Sequence, residues 1–234
     1  MTVITISRQF ASAGDEIAIA LCRELNYRLF DKRFLTTAAK EAGLTEADVL
    51  DFSEDNYHVR GFMDRLFGRL PVFSYGGLWP DNLFAQYLLE ESKFKEEDRF
   101  RLVQKAIHYA CQVGNMVILG RGGQAILSGL PGVINIRIEA PLEDRIQRLQ
   151  QQLQQSREVS PIPDDLRRKA LETINRRDAA SRDYLKFFFQ IDWDDPLLYH
   201  LVLNTGRLTI AQAVATIIHL AQTLQPESAS LTGY

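Results

Sequence analysis

The sequence predicts an α/β fold: a parallel sheet with helices on both faces. Three observations carry this. Val3-Ile4-Thr5-Ile6, Met116-Val117-Ile118-Leu119 and Val133-Ile134-Asn135-Ile136-Arg137-Ile138 are short apolar runs rich in β-branched residues, the pattern of strands buried on both sides. Each run opens a β–loop–α unit, with small or turn-forming residues next and helical periodicity after them. Such units, repeated, lay the strands side by side and parallel. The 234 residues suffice for one large domain or for a core with an inserted subdomain.

The elements follow in order. After the first strand, Gly14 to Leu25 reads as a helix with Ile17, Ala18, Leu21 and Leu25 on one face. Arg28-Leu29-Phe30 is a short strand. Asp31 ends it and caps a helix from Lys32 to Ala42, which Gly43 stops. Thr45-Glu46-Ala47-Asp48 has the form of a fresh helix start, with acids in its first turn. Residues 53–82 change character, with His58, Arg60, Arg65, Arg69, Gly76-Gly77 and several aromatics. They are expected to form a mobile subdomain or lid whose basic residues face a substrate; a solvated helix pair is the alternative. Asn82 to Val113 forms one or two helices, with an apolar stripe at Leu102, Val103, Ala106, Ile107 and Ala110. Ala140-Pro141-Leu142-Glu143 opens a helix to about Gln155, with proline near its start. Ser156 to Pro163 interrupts the pattern. Asp164 to Tyr184 is an arginine-heavy helix, followed by the run Phe187-Phe188-Phe189. Leu197 to Leu203 is expected as the last strand, and Thr209 caps a final helix to Leu224. Residues 225–234 read as a disordered tail.

Composition narrows the function. A net charge of −3 gives no global basic field for nucleic acid or an anionic membrane. There is no apolar run of about 18 residues to span a membrane and no signal-peptide pattern at the N-terminus, so a cytoplasmic protein is expected. Cys22 and Cys111 lie among apolar neighbours in predicted helices and read as buried, reduced thiols. His58, His108, His200 and His219 make no metal-ligand spacing with one another or with cysteine. A loosely held Mg²⁺ would leave no such signature.

Three constellations carry chemistry. Arg8-Gln9-Phe10-Ala11-Ser12-Ala13-Gly14-Asp15-Glu16 joins a strand to a helix start, where backbone N–H groups and the helix dipole favour an anion. Ser12, Ala13 and Gly14 allow close approach, and Arg8 could supply positive charge. Asp15 and Glu16 oppose phosphate unless a Mg²⁺ lies between. Alone, this is also what a plain turn looks like. Gly120-Arg121-Gly122-Gly123 follows a buried strand, at the sheet edge where ligands bind; Arg121 is placed there to clamp phosphate. Arg176-Arg177-Asp178-Ala179-Ala180-Ser181-Arg182 sets Asp178 four residues before Arg182 on one helix face. That spacing suits a solvated ion pair, but the clustered cations also suit a mobile phosphate-transfer lid.

Taken together, these residues resemble the cytidylate kinases and, more closely, the cytidylate kinase-like proteins of the P-loop nucleoside monophosphate kinases. The resemblance covers about residues 2 to 224. Ile4 to Gly14 is similar to that group's I-S-R-x-[FY]-G-S-G-G, and Leu25-Asn26-Tyr27-Arg28-Leu29-Phe30-Asp31 to L-G-Y-x-x-x-D. Gly120-Arg121-Gly122 resembles G-R-D. Ala140 to Arg148 and Arg176 to Arg182 resemble the two lid helices, and Leu203 to Thr209 the segment before the last helix.

The resemblance implies a P-loop NTPase fold: a five-stranded parallel sheet flanked by helices, with inserted NMP-binding and lid helices. It implies one domain over 1–224, with core 1–50 and 100–224, a helical insertion at about 51–99 and a lid at about 155–190. The activity implied is Mg²⁺-dependent phosphoryl transfer from ATP to a nucleoside monophosphate, CMP or dCMP first. Ser12, Ala13, Gly14, Asp15 and Glu16 would hold the donor phosphates, with Mg²⁺ near Asp15 or Glu16. Asp31, Arg60 and Arg121 would serve the acceptor. Arg8, Arg145, Arg148, Arg177 and Arg182 would be the catalytic cations.

The chain departs from these patterns at four places, one being Lys32-Arg33-Phe34-Leu35-Thr36, which follows Asp31 where the kinases carry T-G-A-x-Y-R. Ala13-Gly14-Asp15 stands where they carry G-K-[ST], Ala11 and Ala13 stand where the kinase-like group has glycine, and Gly122 stands where they have aspartate. The alternative these departures favour is a catalytically degenerate nucleotide-binding or sensory module. A purely structural interaction domain would leave the arginine clusters without a role.

Overall fold

The structure is a computed structural model and describes residues 2–31, 96–155 and 163–224. Five strands form one sheet in the order β2-β3-β1-β4-β5. They are β1 (Val3–Arg8), β2 (Arg28–Phe30), β3 (Met116–Leu119), β4 (Val133–Glu139) and β5 (Leu201–Asn204), and every pairing is parallel. β1 is central, pairing Val3 with Met116 on one side and with Val133 on the other. The described helices are α1 (Gly14–Leu25), α2 (Glu96–Val113), α3 (Gly123–Ile126), α4 (Leu142–Gln155), α5 (Pro163–Phe189) and α6 (Ile210–Thr223).

The two-residue alternation of each strand divides the core. Ile4, Ile6, Ile134, Ile136 and Ile138 face α1 and α6, where Ile17, Leu21, Val214 and Ile217 complete one buried layer. Val3, Met116, Ile118 and Val133 face α2 and meet Val103, Ala106, Ile107 and Ala110. A third cluster joins α4 to α5 through Ile146, Leu149, Leu153, Leu166, Ala170 and Ile174, with Phe10 and Ala11 against it. That contact sets the two lid-like helices directly beside the β1–α1 loop.

Two boundaries differ from those expected. α5 runs on through the phenylalanine run to Phe189. Tyr184 and Phe188 keep helical spacing, with ring centroids 4.9 Å apart, and Tyr184 and Leu185 pack with Trp193. The aromatics therefore extend the helix instead of ending it. The last strand begins at Leu201, not Leu197. Asp195 accepts a hydrogen bond from the Leu197 amide at 2.9 Å and Pro196 follows it, which winds Pro196–Leu198 into a 3₁₀ turn. The cap at Thr209 is a full capping box with Gln212. The expected helix at 32–42, the helix start at 45–48, the subdomain or lid at 53–82, the 82–113 segment before residue 96, the break at 156–162 and the tail from 225 lie outside the described residues. No helix among the described residues is long and apolar enough to cross a membrane.

Candidate phosphate site

All strands point the same way, so their carboxyl ends share one edge. The β1–α1 loop, the Gly120-Arg121-Gly122-Gly123 turn and the Asn204–Thr209 turn meet there. The chain leaves β1 toward β2 on one side and β4 toward β5 on the other. The switch point therefore lies between β1 and β4, directly under the β1–α1 loop.

In that loop three successive carbonyls are taken by side chains. The Phe10 carbonyl accepts from Arg145 Nη1 at 3.3 Å and the Ala11 carbonyl from Arg148 Nη1 at 3.4 Å. The Ser12 carbonyl accepts from the Thr205 hydroxyl at 2.7 Å. Ser12 Oγ donates to the Ile138 carbonyl at 3.2 Å, so its side chain anchors the loop to β4. The first amides of α1, by contrast, have no intrahelical acceptor. Ala13 caps the helix without a side-chain hydrogen bond. The result is a set of backbone donors at a helix start, beside a loop whose Phe10, Ala11 and Ser12 carbonyls are taken by side chains and whose Phe10 amide is taken by Asp178.

Ala11 and Ala13 both adopt left-handed backbone, at φ 61° and 64°. This is the conformation that glycine adopts without strain and alanine resists. The loop thus keeps a glycine-type shape at 11 and 13 with alanine in both places. Ala11→Gly and Ala13→Gly are each expected to stabilise the chain by about 1 kcal/mol, read as a shift of the urea midpoint. An unchanged or lowered midpoint would show that the methyl groups pack better than the backbone suffers.

The charges at the loop mouth form a small circuit. Arg8 Nη2 lies 3.2 Å from Asp15 Oδ1. Position 14 has no room for a side chain, because a Cβ there would sit 2.6 Å from the Arg8 Cβ. Arg8 therefore occupies the space a lysine at 14 would need. The Glu16 carboxyl is pushed above its ordinary value of 4.5, first by desolvation and then by Asp15; a backbone hydrogen bond, Arg148 and Arg8 oppose this. Glu16 also keeps an exposed side, where solvent screens the effect. A raised folded-state pKa means that the fold holds this proton more tightly than the unfolded chain does. Stability is thus lost as pH rises from about 4.5 through the raised value. Glu16→Gln is expected to raise the melting temperature at neutral pH, with the gain vanishing below about pH 4. A gain that persists at low pH would contradict this origin.

The remaining candidates are placed as follows. Arg177 is buried at the loop's side, its guanidinium 5.5 Å from the Phe10 ring centroid. Arg182 does not pair with Asp178. It binds Asp194 through Nη2 at 3.1 Å, while Asp178 turns inward to Arg145 and the Phe10 amide. Arg121 is buried in its turn with φ 62°. Gly122 beside it is closely overlaid, since a Cβ there would meet the Phe189 ring at 2.6 Å. An aspartate at 122 could not coexist with this position of α5. Asp31 lies just beyond β2, and its charge helps burial to push the Cys22 thiol up to about 12. Cys111 is only half-buried. Arg60 lies outside the described residues.

Sequence reasoning passed over Arg137, whose signal was a charge inside the apolar run of β4. Its side chain is buried, with Nη1 donating to the Trp193 carbonyl at 2.7 Å and Nη2 to Asp194 at 2.7 Å. The guanidinium also lies 4.3 Å from the Trp193 ring centroid. Trp193 Nε1 in turn donates to Ser7 Oγ at 2.8 Å, one residue before Arg8.

A cavity of about 380 Å³ adjoins the loop, lined by Ala13, Arg148, Thr205, Gly206, Arg207 and Thr209 among others. For Mg²⁺ the described residues contain no group of three or more acidic, histidine or cysteine side chains able to cage an ion. Asp15 and Glu16 at the helix start fit a weaker role, beside an ion held chiefly by phosphate oxygens and water.

A family model described as the cytidylate kinase-like family matches residues 3–207. The chain belongs to the cytidylate kinase-like family. No curated protein sequence matches it. Among solved structures, it resembles an uncharacterized protein from Eubacterium ventriosum, with TM-score 0.61 and 19% identity over 95% of this chain and 99% of that one. Shikimate kinase from Acinetobacter baumannii is a looser likeness, with TM-score 0.44 and 11% identity over 95% and 94% of the two chains. Shikimate kinase from Bacteroides thetaiotaomicron gives 0.46 and 12%, over 94% and 98%. The first likeness speaks to fold; the other two carry no argument about substrate. The parallel α/β sheet and the family together make this a cytidylate kinase-like α/β chain.

Proposed function

We propose that this kinase-like chain binds ATP with Mg²⁺ and transfers its terminal phosphoryl group to a nucleoside monophosphate, with CMP or dCMP as the first acceptors to test. The observation that carries this reading is the loop over Phe10 to Ser12. Its carbonyls accept from Arg145, Arg148 and Thr205, beside a helix start at the sheet's switch point whose first amides have no intrahelical acceptor. On this reading the amides of Ala13 to Glu16 take the donor phosphates and Arg8 supplies the cation that a loop lysine gives elsewhere. The cavity beside Ala13 and Arg148 receives the rest of the nucleotide. Arg121 at the end of β3 serves the acceptor phosphate. Arg177 and Arg182, carried on α5, add charge over the transferring group. Asp15 and Glu16 would lie beside a bound Mg²⁺, which would supply positive charge against the donor phosphates.

A coupled assay of ATP consumption across the monophosphates tests this. Turnover above background with at least one acceptor is expected. Arg8→Ala is expected to lower ATP affinity about tenfold, the scale of one charge-assisted contact. No turnover with any acceptor would contradict transfer.

A second reading has its own support. The left-handed alanines and the Arg8–Asp15 pair both burden the loop, which favours a nucleotide-binding module without transfer. Calorimetric binding of ATP in the absence of phosphate transfer would select it.

A further inference from the structure

We propose that Asp178 is a positioning residue for nucleotide binding: with Arg145 it clamps the Phe10 peptide and holds the phosphate loop in the shape its alanines resist. The inference rests on the reading of this loop as a phosphate site. Asp178 Oδ1 accepts the Phe10 amide at 2.8 Å, and Oδ2 accepts from Arg145 Nη1 at 2.5 Å. The same Arg145 nitrogen donates to the Phe10 carbonyl. Both polar groups of residue 10 are therefore gripped by one ion pair, and Arg177 lies over its ring.

The pair is largely shielded, with side-chain exposures of 8% and 12%. A buried ion pair alone says little about stability, since desolvation offsets attraction. This pair does something more specific, because its hydrogen bonds end on the backbone immediately before Ala11. Alanine at positive φ would relax toward ordinary backbone if the preceding peptide were free to turn. With Phe10 fixed on one side and Ser12 tied to Ile138 and Thr205 on the other, that relaxation is blocked. The loop's conformation is thus imposed by tertiary contacts rather than by glycine. Because Asp178 belongs to α5, a movement of that helix would loosen the loop, coupling the arginine-bearing helix to phosphate affinity.

Calorimetric titration with Mg-ATP tests this in four proteins: wild type, Asp178→Ala, Ala11→Gly/Ala13→Gly, and the combination. Asp178→Ala is expected to weaken binding about tenfold in the alanine loop and no more than about threefold in the glycine loop. Asp178→Asn, which keeps an acceptor for the Phe10 amide, should fall between wild type and Asp178→Ala. An equal loss in both backgrounds, or an Asp178→Ala affinity within about twofold of wild type, overturns the proposal. Amide exchange on the unliganded wild type gives a reading that needs no variant. The Phe10 amide should exchange as slowly as the β1 amides, and fast exchange there overturns the clamp. Failure of the wild type to bind Mg-ATP at all would instead count against the proposed function, while the exchange result still decides the clamp.

Discussion

Alanine at position 14 is expected to destabilise the chain by about 2–3 kcal/mol, a large effect for one methyl group. The added Cβ would stand 2.6 Å from the Cβ and 2.8 Å from the Cγ of Arg8. Those atoms lie close to the backbone of β1, so they cannot swing aside as the tip of a long side chain could. The same reasoning applies to lysine. Gly14→Lys, the substitution that would restore the usual loop cation, brings the same clash and should lose stability without gaining ATP affinity. Arg8→Gly/Gly14→Lys removes both clashing atoms, where Arg8→Ala would keep the Cβ at 2.6 Å, and should recover both stability and affinity relative to Gly14→Lys. Urea denaturation and ATP titration of the three variants check this. A Gly14→Ala loss under about 0.5 kcal/mol would show that Arg8 yields easily, and the account of why the lysine is missing would fail with it.

The second large effect is expected at Arg137. Burial works against its charge, but hydrogen bonds with Glu139 and Tyr199 outweigh it and hold the guanidinium above its ordinary pKa. Arg137→Met keeps the apolar stem and removes the head. The Trp193 carbonyl and the Tyr199 hydroxyl then lose a buried partner, and Asp194 keeps only Arg182. A loss of about 3 kcal/mol is expected. Glu139 and Asp194 are exposed enough to rehydrate, which keeps the cost from rising further. Because Trp193 is bonded to Ser7, the variant should also weaken ATP binding through the end of β1. Chemical denaturation measures the first effect and calorimetry the second. A variant as stable as the wild type would mean that the network contributes packing alone.

Much of the fold was legible because it rests on local pattern. α1 at Gly14–Leu25, β2 at Arg28–Phe30 and β3 at Met116–Leu119 have the bounds the sequence predicts. Their apolar periodicity and turn residues act within a few positions. The end of α5 was harder, because three consecutive phenylalanines carry no period of their own; Trp193, distant from the start of that helix, decides the matter. Of the candidate site, the gathering of cations was legible. Arg8, Arg145, Arg148 and Arg177 do gather around the β1–α1 loop. Their partners were not legible. Asp178 has Arg182 at helical spacing, yet it bonds to Phe10 and Arg145, residues 168 and 33 positions away. Nothing in local spacing encodes such a choice. It follows from which face of α5 packs on α4. Arg137 shows the same limit, since its charge was visible but its cage of Trp193, Asp194 and Tyr199 depends on how the chain returns after α5.

The central claim is that the loop from Arg8 to Glu16 receives the phosphates of a nucleotide without a loop lysine. A crystal structure of the chain grown with Mg-ADP tests it most directly. The account predicts phosphate oxygens within hydrogen-bond distance of the amides of Ala13 to Glu16 and of the Arg8 guanidinium, with the nucleoside in the cavity beside Arg148 and Thr205. Nucleotide bound elsewhere, or phosphates at the loop with Arg8 still closed on Asp15 and turned from them, would contradict it.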